Sequence, residues 1–214
     1  MTGISPSELP RILEVTLAGA AVTAKDIEEL CGKVREQKLH GVCVASSRVE
    51  LAASLLHDTD LKVTALIGGP LGTIDEDAKR YETELAIDYG AQEIEVVLNI
   101  GRLKDGDRKY VLRELRDTAE AADERIVKVD LKPHLLTREE ILLAYELILD
   151  SGAHFICFNG SPKLDCVKQC REAIGPKFGI KAAEVSLDTA AALAFIEAGA
   201  TRLGLFGGVF PSFT

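Results

Sequence analysis

The chain has 214 residues, of which 47% are hydrophobic and 5% aromatic, with no Trp and a formal net charge of −9. That length suits one α/β domain with an aliphatic core, and the acidic balance excludes the clustered basic face that nucleic acid or an anionic membrane requires. No apolar run reaches the length of a membrane span, and Met1–Pro10 lacks the apolar core of a signal peptide.

Short apolar runs alternate with amphipathic stretches along the whole chain. Leu13–Ala18 reads as a first strand and Thr23–Gln37 as the helix after it. Strands are then predicted at Gly41–Ser46 and Lys62–Gly68, a helix over Asp75–Tyr89, a strand at Glu93–Asn99 and a helix over Arg108–Asp123. The pattern continues with the strand Ile126–Lys132, the helix Thr137–Ser151, the strands Phe155–Gly160 and Lys177–Ala183, the helix Ser186–Ala198 and the strand Thr201–Gly207. Thr137 with Glu140 three residues on forms a capping box. One junction recurs as Tyr89-Gly90-Ala91, Ser151-Gly152-Ala153 and Ala198-Gly199-Ala200. Gly fits there because the backbone beyond a helix end turns left-handed. Repetition of a strand–helix unit predicts an α/β protein, a parallel (β/α)8 TIM barrel, as a single domain over residues 1–214. The last helix is expected to be short or absent, which leaves Phe210 and Phe213 without obvious cover. An open doubly wound sheet is disfavoured because no Gly-x-Gly-x-x-Gly opens the first helix.

Strand alternation sends every second side chain to the barrel axis. The inward sets are Glu14, Thr16 and Ala18; Glu95, Val97 and Asn99; Lys128, Asp130 and Lys132; and Gly179, Lys181 and Ala183. Buried charges must pair or shift their pKa values, so this cluster marks a candidate site, and an ion network that only fills the barrel has the same pattern. His40, His57 and His134 fall in turn-like positions and receive no role. The five cysteines (Cys31, Cys43, Cys157, Cys166 and Cys170) have no disulfide spacing and point to a reduced, cytoplasmic setting. Cys166 and Cys170, four apart on a predicted helix, are alone a weak metal signal, and two small residues on one helix face have the same pattern.

Several segments, in order, are similar to bacterial-type deoxyribose-phosphate aldolases. They are 41–44 (GVCV), 66–72 (LIGGPLG), 90–101 (GAQEIEVVLNIG), 127–129 (VKV), 135–137 (LLT), 179–182 (GIKA) and 197–202 (EAGATR). The resemblance implies a class I aldolase without metal or cofactor. Such an enzyme cleaves 2-deoxyribose 5-phosphate through an imine on a sixth-strand lysine. It implies that Lys181 is the second lysine, Glu95 stands for a relay aspartate, and Lys128 lies beside the reacting centre. Thr16, Cys43, Asn99 and Asn159 are the substrate-binding candidates, and a homodimer is the implied assembly. The sixth strand departs from the family: Cys157 occupies the Schiff-base position, and a thiol cannot form an imine. The phosphate turns depart as well, reading Glu184-Val185 and Phe206-Gly207. Asp130 replaces an apolar residue and could pair with Lys128 or Lys181.

Three readings follow. In one, the chain has lost or altered its aldolase activity and serves as a binding or scaffold protein with a protein partner. In the second, Lys181 is a relocated nucleophile acting on an altered aldehyde or sugar phosphate, with Lys128 lowering its pKa. In the third, Cys157 acts as a thiol nucleophile. A catalytic role expects an uncovered Lys181 amine, and a scaffold role expects an apolar patch around Val209–Phe213.

Overall fold

The computed structural model describes residues 4–160, 162–184 and 188–207. Eight strands, β1 (Leu13–Leu17), β2 (Gly41–Ala45), β3 (Lys62–Ile67), β4 (Glu93–Val97), β5 (Ile126–Leu131), β6 (Phe155–Asn159), β7 (Gly179–Glu184) and β8 (Arg202–Phe206), pair in sequence order, all parallel, and close into a barrel. Around it lie α1 (Ala24–Glu36), α2 (Val49–Leu56), α3 (Glu76–Asp88), α4 (Ile100–Lys104), α5 (Arg108–Ala121), α6 (Arg138–Leu149), α7 (Leu164–Ile174) and α8 (Thr189–Glu197). This is the predicted (β/α)8 architecture. The expected short or absent last helix, and the patch carrying Phe210 and Phe213, concern residues outside those described.

Local signals account for most boundaries. Thr23 with Asp26 and Thr137 with Glu140 form capping boxes at the starts of α1 and α6. Gly90 and Gly199 follow the C-caps of α3 and α8 with φ of 98° and 110°, and Gly152 lies one residue further past α6 with φ of 87°. β7 starts at Gly179 rather than Lys177. A Cβ at Gly179 would meet the Phe155 ring 2.4 Å away, so only glycine lets that ring close the barrel floor.

Outward strand residues such as Val15, Val42, Ile94, Val129, Ile156, Ile180 and Leu203 are buried against the helices and form the main core. The inward residues form levels, because tilted strands place alternate strands at the same height. From the register, Glu93, Phe155 and Arg202 lie with Gly41 at the N-terminal level, and Glu14, Thr64, Lys128 and Lys181 share the next. Cys43, Glu95, Cys157 and Gly204 follow, then Thr16, Leu66, Asp130 and Ala183, and at the C-terminal rim Ala45, Val97, Asn159 and Phe206.

Candidate active site

The barrel axis holds one connected network of charges. Lys128 Nζ donates to Glu14, to Glu93 Oε2 at 2.9 Å and to Thr64 Oγ1 at 3.0 Å. Lys181 Nζ donates to Glu14 and to Glu95 Oε2 at 2.7 Å. Thr64 donates to Glu14 at 2.9 Å, and Arg202 reaches Glu93 Oε2 at 3.2 Å. Above them Asn159 Nδ2 donates to Glu95 Oε1 at 2.9 Å, and Cys157 Sγ lies 3.8 Å from Glu95 Oε2. Glu14, Glu95, Lys128, Lys181 and Cys157 are all fully buried. Gly204 is required beside them, since a Cβ there would stand 2.8 Å from Lys181 Cε.

These contacts decide the charge states. Burial disfavours charge on Glu14, but Lys128, Lys181 and Arg202 outweigh it and hold its carboxyl well below the usual carboxylate range. Glu93 is also lowered, because Lys128, a hydrogen bond from His40 and Arg202 overcome its burial. Burial likewise opposes charge on both lysines. Glu14 and Glu93 nevertheless push Lys128 up to about 12, and Glu14 and Glu95 push Lys181 well above the ordinary lysine value. Burial, with Glu95 adding to it, drives the Cys157 thiol far above its ordinary value. Cys43 is raised for the same reasons.

The sequence-predicted residues do not all converge. Glu95, Lys128, Lys181, Cys157 and Cys43 meet on the axis, with Thr16 and Asn159 above them. Asn99 does not join them: it follows β4, and its Oδ1 accepts from Arg102 N at 3.2 Å as the N-cap of α4. Asp130 pairs with neither Lys128 nor Lys181. It sits at a higher level and meets Lys132 at 3.3 Å instead. The expected depression of the Lys181 pKa by Lys128 is overturned, because two carboxylates lie closer to the amine than any cation. Burial and Glu95 outweigh the Lys181 and Lys128 cations near Cys157, so its thiol is not held as a thiolate. Glu184 falls out of phase with Lys181 and Ala183 on β7, so alternation directs its carboxylate away from the axis. Its neighbours at 185–187 lie outside the described residues.

Sequence reasoning missed Glu93, Arg202, Thr64 and His40. Glu93 and Arg202 each lie two residues before an inward position, so the same alternation could have found them. His40, given no role from the sequence, is part-buried with Nε2 3.1 Å from Glu93 Oε1. Nothing local in the sequence signals that contact. Cys170 is hydrogen-bonded with Tyr145. Among the described residues, two groups have metal-ligand spacing, Glu14–Cys43–Glu95 and Glu14–His40–Glu93. Their carboxylates already hold lysine ammonium groups, which fill the place a cation would take.

No family model matches the chain. It is 39% identical over 202 residues to a deoxyribose-phosphate aldolase from Alkaliphilus oremlandii, covering 92% of this chain and 91% of that protein. It is 41% identical over 207 residues to one from Exiguobacterium sibiricum, covering 94% of each. The chain belongs to the deoxyribose-phosphate aldolase family. Among solved structures, the aldolase QR15 superposes with a TM-score of 0.87 at 29% identity, covering 92% of this chain and 91% of that one. A putative deoxyribose-phosphate aldolase from Coccidioides immitis gives a TM-score of 0.90 at 25% identity, covering 95% of this chain and 84% of that one. Within this family, Cys157 stands where the sequence resemblance placed the imine-forming lysine. No helix of the described residues is long and apolar enough to cross a membrane.

Proposed function

We propose that this member of the deoxyribose-phosphate aldolase family keeps the barrel mouth as a binding site for a small carbonyl or sugar ligand but has lost the family's imine-based cleavage. The observation that carries this reading is the state of Lys181. An amine must shed its proton to attack a carbonyl. Lys181 is instead held as an ammonium between Glu14 and Glu95, with no solvent exposure. Lys128 fares no better, because Glu14 and Glu93 push its pKa up against its burial and hold it as an ammonium. Cys157, at the departed position, is a buried thiol that donates toward Glu95 rather than a nucleophile.

The test is borohydride trapping with acetaldehyde and with 2-deoxyribose 5-phosphate, read by intact-protein and peptide mass. A family member that has the sixth-strand lysine serves as the positive control. No adduct is expected here under conditions that label the control. A reduced adduct mapped to Lys181, and absent from Lys181→Ala, would overturn the reading and establish an aldolase with a relocated nucleophile.

A further inference from the structure

Three buried side-chain oxygens at the C-terminal mouth have no hydrogen-bond partner among the described residues: Thr16 Oγ1, Asp130 Oδ1 and Asn159 Oδ1. The other such atoms, on Glu76 of α3 and Glu114 of α5, lie on helices outside the barrel. Buried polar atoms are normally satisfied, so three orphans on adjacent levels of one barrel end require a cause. Thr16 and Asp130 share a level directly above Glu95, on opposite sides of the axis, and Asn159 is one step higher beside Asp130.

Each of the two larger groups already has one end committed inside the protein. Asp130 Oδ2 accepts from Lys132 at 3.3 Å, and Asn159 Nδ2 donates to Glu95 at 2.9 Å. Their free atoms are acceptors, so a ligand must bring donors. An anionic ligand would face the Glu95 and Asp130 carboxylates. A cationic one would face Lys132 and, two levels below Asp130, Lys181. Hydroxyl groups meet neither objection. Ala183 and Leu66 share the level of Thr16 and Asp130, and Ala45, Val97 and Phe206 share that of Asn159.

We infer that Asp130 Oδ1, Asn159 Oδ1 and Thr16 Oγ1 form an acceptor site for the hydroxyl groups of a neutral, non-phosphorylated sugar, and that Asp130 sets this ligand class. The inference rests on the reading of the mouth as a binding site and adds the chemistry of the ligand. Asp130 is this chain's own feature, since the family resemblance puts an apolar residue there.

The experiment is isothermal titration calorimetry with 2-deoxyribose and 2-deoxyribose 5-phosphate as probes, on the wild type, Asp130→Leu, Asp130→Asn and Asn159→Ala. Thermal unfolding first establishes that each variant is folded. The free pentose is expected to bind the wild type more tightly than its phosphate. Asp130→Leu and Asn159→Ala should each weaken pentose binding about tenfold, the loss of one acceptor. Asp130→Asn keeps an acceptor oxygen and should stay within about threefold of wild type. Absence of pentose binding, tighter binding of the phosphate, or unchanged affinity in Asp130→Leu would each overturn the inference. The borohydride trap reports covalent adducts and the variant series reports Asp130-dependent binding, so an adduct on Lys181 together with Asp130-dependent binding would sink the proposed loss of cleavage and leave this site standing.

Discussion

Two places in this molecule bury lysine beside glutamate, with opposite results. On the barrel axis each ammonium touches at least two carboxylates, and both lysines are pushed up while Glu14 and Glu93 are pulled down. Outside the barrel, Lys79 of α3 meets one carboxylate, Glu114 of α5, at 2.8 Å, and donates to Val97 O at 2.8 Å. There burial dominates: Lys79 is lowered and Glu114 is raised. The number of countercharges, not the depth of burial, decides whether a lysine stays charged. An amine nucleophile needs the environment of Lys79, and the axial lysines have the other kind. The Lys79 amine is itself spent on holding the end of β4. Its stem packs so close to the backbone that a Cβ on Gly68, which has φ of +66°, would lie 2.7 Å from Lys79 Cε.

Acid should expose the contrast most strongly. Glu14 and Glu93 have folded pKa values below the unfolded value of about 4.3, so their contribution is complete above that value and is lost as pH falls through the folded ones. Urea unfolding midpoints should therefore decline steeply from about pH 5 downward. At the alkaline end the Lys128 contribution should fade as pH rises from about 10.4 towards 12. A midpoint that stays flat down to pH 3 would mean that the axial carboxylates are not held charged.

The next largest effect is expected from Glu14→Gln. It removes the carboxylate that both axial lysines share and should cost about 3–5 kcal/mol by denaturant unfolding, flattening the acid decline as well. A cost below about 1 kcal/mol would show that the axial charges are paired without Glu14.

The smaller effect belongs to the lone pair. Lys79→Met leaves Glu114 able to take up a proton, so the cost should be only about 1–3 kcal/mol. Adding Glu114→Leu should bring stability back to within about 1 kcal/mol of the wild type, because an apolar pair of similar volume replaces a buried ion pair with little loss. Because the folded Glu114 pKa is raised, it adds stability as pH falls towards about 4.3, so the double variant should decline somewhat more steeply in acid while keeping the axial decline. If the double variant is less stable than Lys79→Met, the pair contributes more than burial physics allows and the comparison fails.

The sequence by itself determined the barrel and its contents: the repeated strand–helix unit, the glycine junctions, the cap on Thr137, and the inward phase of Glu14, Glu95, Lys128 and Lys181. All of these depend on local propensity and a two-residue period, which survive folding unchanged. The tertiary structure decided which charges meet. Lys181 lies between Glu14 and Glu95, Asp130 meets Lys132, His40 reaches Glu93, and Asn99 turns out to cap α4. Those pairings depend on the stagger of eight strands around a closed barrel, which sets the height of each side chain on the axis. That height is a property of the closed sheet and is not written in any one segment.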